Sequence, residues 1–427
     1  MMPPSATTFL ARSSSALLRH LSALPPPPPA SLAFYALSSN ATDLQPLVSH
    51  LSSLSKESIG CLSSPLPPSR HSAAPISCAI AYFPLAGCVG FRSEILGHRK
   101  AQVGRWHRPG ADTRHAQQDM KSLEHALGDS SQKWGDLWGT NSGKAELELP
   151  DELQNAPDIH TLLYFTDDAP EGLIKSLNRG FPRATNLSLV GSSTPFITGR
   201  PFTLLRNSKT FSEGAVGIAL TGAQASLTRE TGFEGLSALS KALTVTSSQS
   251  NMVHTLDNAN PSQMLVNLLN QKSAHGASAA NIRKEDEYYL GLLRSEGDSN
   301  MWERVYRITS GNPSRGSLSI EGDSELPEGS RVQFLCRSAD NVPVYSERLL
   351  SSKPSASLGI EMRYLTSLPD HASVPVTNDG VGDDGVTVIP NAFVASSENG
   401  FISGAQSESA HSWRCSIPGG WTSLKFA

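Results

Sequence analysis

Gly191-Ser192-Ser193-Thr194, with Arg200 a short way downstream, is the stretch of this sequence best suited to holding an anion. Backbone N–H groups beside a glycine, together with three hydroxyls, can converge on an oxyanion, and arginine binds carboxylates in a two-pronged fork. The stretch lacks the lysine of a phosphate-binding loop and the spaced glycines of a dinucleotide loop, so a nucleotide is not indicated. A tight turn between a strand and a hairpin accounts for the same residues equally well. Gly60-Cys61 is the second candidate, a thiol directly after glycine near a strand end. A nucleophilic cysteine needs a base or cation to lower its pKa, and only His71 is close in sequence. A small residue buried in the core is the simpler reading of Cys61. Asp379-Gly380-Val381-Gly382-Asp383-Asp384-Gly385 gathers carboxylates but lacks the spacing and distal glutamate of a calcium loop, and reads as an acidic turn. No HExxH, GxSxG or CxxC pattern occurs. The expected ligand-binding set is Gly60, Cys61, Gly191, Ser192, Ser193, Thr194 and Arg200, with no catalytic residue, metal ligand or cofactor.

Both candidates end similar segments, and that similarity shows which elements position them. Residues 32–65 run through the apolar Leu32–Leu37, an amphipathic stretch (Leu44, Leu47, Val48, Leu51, Leu54) and Ile59-Gly60-Cys61-Leu62-Ser63-Ser64-Pro65. Residues 161–195 repeat the order: Leu162–Phe165, an amphipathic stretch (Leu173, Ile174, Leu177), then Leu189-Val190-Gly191-Ser192-Ser193-Thr194-Pro195. Each reads as strand, helix, parallel strand, glycine and small hydroxyls, then proline. Another apolar strand follows each at similar distance, Cys78–Phe83 and Ala215–Leu220. The pattern predicts two related lobes, with Gly60 and Gly191 at equivalent strand ends where an α/β sheet leaves a crevice.

The chain has 427 residues, enough for two or three domains, with 38% hydrophobic and 17% charged residues. A net charge of −4 argues against a dedicated nucleic-acid binder. Five cysteines without pairing pattern point to a reducing compartment. Residues 1–42 contain no Asp or Glu, and a helix would set Leu10, Leu17, Leu21 and Leu24 opposite Arg12 and Arg19. That is the pattern of a mitochondrial transit peptide directing the chain to the matrix, with Pro25–Pro29 as a stiff spacer closing a segment 1–29. Ala73–Phe91 is free of charge, but Pro75, Pro84, Gly87 and Gly90 favour a buried strand at Ile76–Phe83 over a membrane span. A polar insertion occupies about 92–150 and reads as a solvated excursion between lobes, although its string Arg105-Trp106-His107-Arg108 offers modest support for a patch that takes phosphate or an acidic partner.

Further on, Leu243-Thr244-Val245-Thr246 and Met252–Leu256 read as strands. Pro261 opens a helix over Ser262–Asn270, and residues 273–287 read as a boundary. Strand-like runs follow at Val305–Ile308, Leu318–Ile320, Val332–Cys336 and Ile389–Ala395. The expected class is α/β (α+β), with a β-rich smaller C-terminal domain.

The duplicated unit, the Leu-Thr-Val-Thr strand and the Leu256–Pro261 turn resemble the FIST family (F-box and intracellular signal transduction proteins). So do the later clusters Arg307-Ile308-Thr309-Ser310-Gly311-Asn312-Pro313, Gly316-Ser317-Leu318 and Leu326-Pro327-Glu328-Gly329-Ser330-Arg331-Val332. The resemblance covers roughly 30–337. It implies an N-terminal FIST domain over 30–272 and a divergent C-terminal part over 273–427, where Ser396-Ser397-Glu398-Asn399-Gly400 and Trp413–Gly420 stand in place of the family's usual ending. It points to a form without an F-box. The implied function is binding or sensing of a small ligand such as an amino acid, without catalysis. The other readings are a protein-interaction scaffold related to F-box ubiquitin-ligase adaptors and a thiol-dependent enzyme using Cys61.

Overall fold

The computed structural model describes residues 4–67, 74–95, 149–156, 158–222, 227–274, 286–294, 302–311, 316–321, 326–337, 345, 359–367, 385–404 and 412–426. Most of the polar insertion, His71 and the acidic turn before Gly385 lie outside these residues.

The chain starts with strand β1 (Ser5–Ala11), helix α1 (Ser14–Ser22), β2 (Ser31–Ser38), α2 (Leu44–Ser53), β3 (Glu57–Ser63) and β4 (Ile76–Pro84). It continues with β5 (Cys88–Ser93), a short α3 (Asp151–Gln154), β6 (Ile159–Thr166), α4 (Glu171–Gly180) and β7 (Thr185–Val190). A hairpin of β8 (Leu204–Arg206) and β9 (Lys209–Phe211) leads to β10 (Ala215–Thr221) and β11 (Leu227–Phe233). Then come β12 (Ser237–Ala238), β13 (Leu243–Gln249), β14 (Met252–Leu256), α5 (Pro261–Ala274), β15 (Glu287–Leu293) and β16 (Trp302–Gly311). The chain closes with β17 (Leu318–Ile320), β18 (Arg331–Arg337), β19 (Ile360–Thr366), β20 (Thr387–Pro390) and β21 (Ala392–Ser397), then β22 (Phe401–Gly404), β23 (Trp413–Cys415) and β24 (Gly420–Phe426).

The expected strand–helix–strand segments form as α/β units. In the first, β2 and β3 pair in parallel with Ala36 beside Cys61; in the second, β6 and β7 pair in parallel with Phe165 beside Leu189. The sheets built on them share a strand order, β1-β4-β2-β3 and β5-β10-β6-β7, each joined antiparallel, antiparallel, parallel. The same order occurs a third time, as β11-β24-β19-β21, with Tyr364 beside Ala395 in the parallel pair. The third sheet takes β11 from the middle of the chain and its other strands from the carboxyl-terminal part. This grouping was not expected, because about 125 residues separate its first two strands.

Those intervening residues build another body. Strands β13, β14, β17, β16, β15 and β18 pair in a closed ring, with β12 alongside β18. The expected boundary at 272/273 falls inside this ring, which draws β13 and β14 from before it and four strands from after it. The single strand expected at Ile389–Ala395 is two: Asn391 turns the chain at φ 57°, sending β20 to β1 in the first sheet and β21 to β19 in the third.

The central strands of the first two sheets are buried on both faces, which is why β2 reads as a nearly unbroken apolar run, whereas β11 at the edge of the third leaves Thr228 and Glu230 exposed. Inward faces meet at a shared core, where Phe34 of the first sheet stacks on Phe165 of the second at 4.3 Å and lies 5.5 Å from Phe393 of the third. Outward faces are covered locally: Leu17, Leu21, Leu47 and Leu51 of α1 and α2 cover the first sheet, and Leu173 and Leu177 of α4 the second.

The amino-terminal segment belongs to this arrangement. Ser5–Ala11 is a strand rather than part of an amphipathic helix, paired through seven residues with β4. The Thr8 hydroxyl donates to Ala392 O and accepts from Val394 N–H. The helix begins only at Ser14, where the Ser13 hydroxyl accepts the Ala16 N–H at 3.2 Å. A boundary after residue 29 therefore separates β1 and α1 from the sheet they complete. Among the described residues, no helix is long and apolar enough to cross a membrane.

Candidate functional site

The second strand of each parallel pair runs toward one point, and three chain segments meet there: Ser64 after β3, Gly191–Ser193 after β7, and Glu398-Asn399 after β21. Backbone bonds lace them together. Ser64 N–H donates to Ser396 O at 2.8 Å, Ser192 N–H to Leu62 O at 3.0 Å, and Val190 N–H to Gly400 O at 3.0 Å. The turn from β21 to β22 depends on Gly400, whose φ is +83° and whose notional Cβ would fall 1.8 Å from Cys415 O. That turn presents the Glu398 side chain to the other two segments.

The side chains converge on the Glu398 carboxylate. Its Oε2 accepts from the Ser192 hydroxyl at 2.9 Å and from the Ser64 hydroxyl, while Oε1 accepts the Ser193 N–H at 2.6 Å. Ser64 Oγ lies 2.9 Å from Ser192 Oγ and accepts the Glu398 N–H at 3.0 Å. Asn399 donates its amide to Gly191 O at 2.9 Å and to Glu398 Oε1 at 3.2 Å. Arg414 of β23 donates to Asn399 O at 3.2 Å and to Asp168 O at 2.8 Å, supporting the turn from behind. Ser64 and Ser192 are 5% and 2% exposed, whereas Glu398 is an exposed residue. The carboxylate thus caps a buried hydroxyl pair. Among the described residues, no Lys, Arg or His forms a salt bridge with it.

The sequence candidates divide. Gly191, Ser192 and Ser193 lie in this cradle. Thr194 is buried beside it, with its hydroxyl used in the following turn: it donates to Arg200 O at 3.0 Å and lies 2.7 Å from Thr203 Oγ1. The Arg200 guanidinium is turned outward and donates to the Ser212 hydroxyl at 2.8 Å. Gly60 is not the counterpart of Gly191, because it lies inside β3, where the Tyr35 ring covers it; a Cβ there would sit 2.3 Å from a ring carbon. Cys61 is fully buried in the shared apolar core, and burial pushes its thiol pKa well above the ordinary range. Burial likewise raises the Cys88 and Cys415 thiols to about 12. A thiolate nucleophile at Cys61 has no support in this setting.

Sequence reasoning missed Ser64, Glu398 and Asn399 as members of one site. A signal was present: Leu62-Ser63-Ser64, Gly191-Ser192-Ser193 and Ala395-Ser396-Ser397 each place two serines at or just beyond the end of a buried strand. Among the described residues, no cluster of three or more His, Cys, Asp or Glu could hold a metal ion.

Parallel strand pairs meeting at their ends around a small polar cluster define a strand-rich α/β protein of several sheets. The FIST N domain matches residues 31–259, more than half of the chain, and the protein belongs to the FIST family. Domains of this family are generally sensory modules that bind small ligands in signal transduction. Comparison with curated protein sequences finds no match.

Proposed function

We propose that this protein senses a small polar ligand, an amino acid being the leading class, at the junction of the three strand ends. The observation carrying this reading is the buried Ser64–Ser192 hydroxyl pair, which two separate sheets bring together under an exposed lid residue. Buried hydroxyls with an exchangeable partner give a site both polarity and shape. The binding set then becomes Ser64, Gly191, Ser192 and Ser193, with Glu398 and Asn399 on the movable side. The three sheets of like order are read as copies of one unit, which explains why serines recur at their ends.

A thermal-shift screen of the full chain against amino acids and small organic acids tests this, since a ligand of the folded state raises its stability by mass action. The hit is then titrated into Ser192→Ala. Affinity should fall about tenfold, the effect of losing one hydrogen bond of roughly 1.4 kcal/mol. Unchanged affinity would remove the site from this junction.

We propose localisation to the mitochondrial matrix from the acid-free composition of residues 1–42 together with Arg12 and Arg19. The signal would have to be read before β1 pairs with β4.

A further inference from the structure

We infer that Glu398 is a built-in occupant of a carboxylate-binding hole, and that the ligand of this protein enters by displacing it with a carboxylate of its own. This rests on the reading of the junction as the ligand site. Three donors point at one place: the hydroxyls of Ser64 and Ser192 and the N–H of Ser193. All three are neutral, and together they suit a planar anion with two acceptor oxygens. The group now held there is such an anion, carried by the chain itself.

The setting suits exchange better than permanent structure. The donors are buried or belong to the backbone of a strand end, whereas Glu398 is exposed and follows the strand on a turn. Swapping its carboxylate for a ligand's conserves both the charge in the hole and the bonds made to it. The released Glu398 side chain moves into water, so no charge is buried without a partner. The same turn carries Asn399, whose carbonyl accepts from Arg414 and whose amide donates to Gly191 O. Release of Glu398 would therefore loosen the path from β21 to β22 and to Arg414 on β23. That gives ligand entry a mechanical consequence where the chain passes from the third sheet to the second, as a sensory domain needs.

The energetic consequence is a tax on binding. If Glu398 fills the hole nine-tenths of the time, a competing carboxylate sees its dissociation constant raised about tenfold. The test uses the full chain with sodium acetate and glycine as probes, at fixed ionic strength set with sodium chloride, read by calorimetry and thermal shift. Glu398→Ala should bind acetate at least about tenfold more tightly than the wild type. Adding Ser192→Ala to that variant should remove most of the gain. Glu398→Gln, which keeps the bulk of the plug but loses its charge, should fall between the two and serves if the alanine variant does not fold. Equal acetate affinity in the wild type and a folded Glu398→Ala or Glu398→Gln would overturn the proposal. So would a hole that takes sulfate or phosphate in Glu398→Ala but no carboxylate. A metabolite whose binding is weakened by Ser192→Ala but not strengthened by Glu398→Ala would sink the displacement idea while leaving the ligand site in place. A metabolite indifferent to both would sink the site itself.

Discussion

Ser64 and Ser192 stand 128 positions apart in the chain, yet their hydroxyl oxygens lie 2.9 Å from each other, both buried. Each sits just beyond the second strand of a parallel pair, and the two pairs belong to different sheets. The contact exists only because those sheets pack their inward faces together around Phe34 and Phe165.

Removing either hydroxyl should therefore be felt in the fold as well as in binding. Ser64→Ala deprives the Glu398 N–H of its acceptor and the Glu398 carboxylate of a donor. A loss of roughly 0.5–1.5 kcal/mol is expected, the usual net worth of a hydrogen bond whose partner can turn to water. Urea denaturation of the variant against the wild type checks this; an unchanged midpoint would mean that the hydroxyl pair carries no stability.

Gly60→Ala should be destabilising for a reason unrelated to ligand. The added methyl meets the Tyr35 ring on the adjacent parallel strand, and overpacking of this kind costs about 1–3 kcal/mol. Tyr35→Leu in the same chain should recover part of the loss, because the ring atoms in the way are removed. A double-mutant cycle on thermal stability measures the coupling. Additive losses would show that the ring is not the obstacle.

All five cysteines are buried and none is in a disulfide, and desolvation holds the Cys61, Cys78, Cys88 and Cys415 thiols above their ordinary pKa. Iodoacetamide at pH 8 should leave the native protein unmodified for as long as it stays folded, and label all five in urea. Rapid labelling of Cys61 in the native state would reopen the thiol-enzyme reading.

The amino-terminal residues are expected to serve two ends. Fused to a fluorescent reporter, residues 1–24 should reach mitochondria, and Arg12→Glu with Arg19→Glu should not. A chain starting at Ser31 should fold poorly, since β1 is placed between β20 and β4 and its loss opens the first sheet. The mature protein recovered from the organelle should accordingly begin before Ser5. A stable, well-folded matrix form beginning near Ser31 would refute that structural role.

Much of this protein was determined by its sequence alone. Apolar runs and helical stripes located β2, α2, β3, β6, α4, β7, β4 and β10, because such patterns follow from which side chains must leave water. Leu318–Ile320 was legible to the residue. That Gly191–Ser193 offers hydroxyl and N–H donors was legible from its residue types. What meets them was not. Hydrophobic patterning reports that a strand is buried but not against which partner, so nothing local revealed that β11 joins β24, far along the chain, or that β1 joins β4. It could not show that Gly60 lies under Tyr35 while Ser64 meets Ser192. Helical spacing likewise suggested one amphipathic helix through Leu10, where the demand of β4 and β20 for a pairing strand makes residues 5–11 extended. The site is decided by long-range pairing: three strand ends, distant in sequence, are brought to one point by the packing of three sheets, and the carboxylate among them arrives from the last.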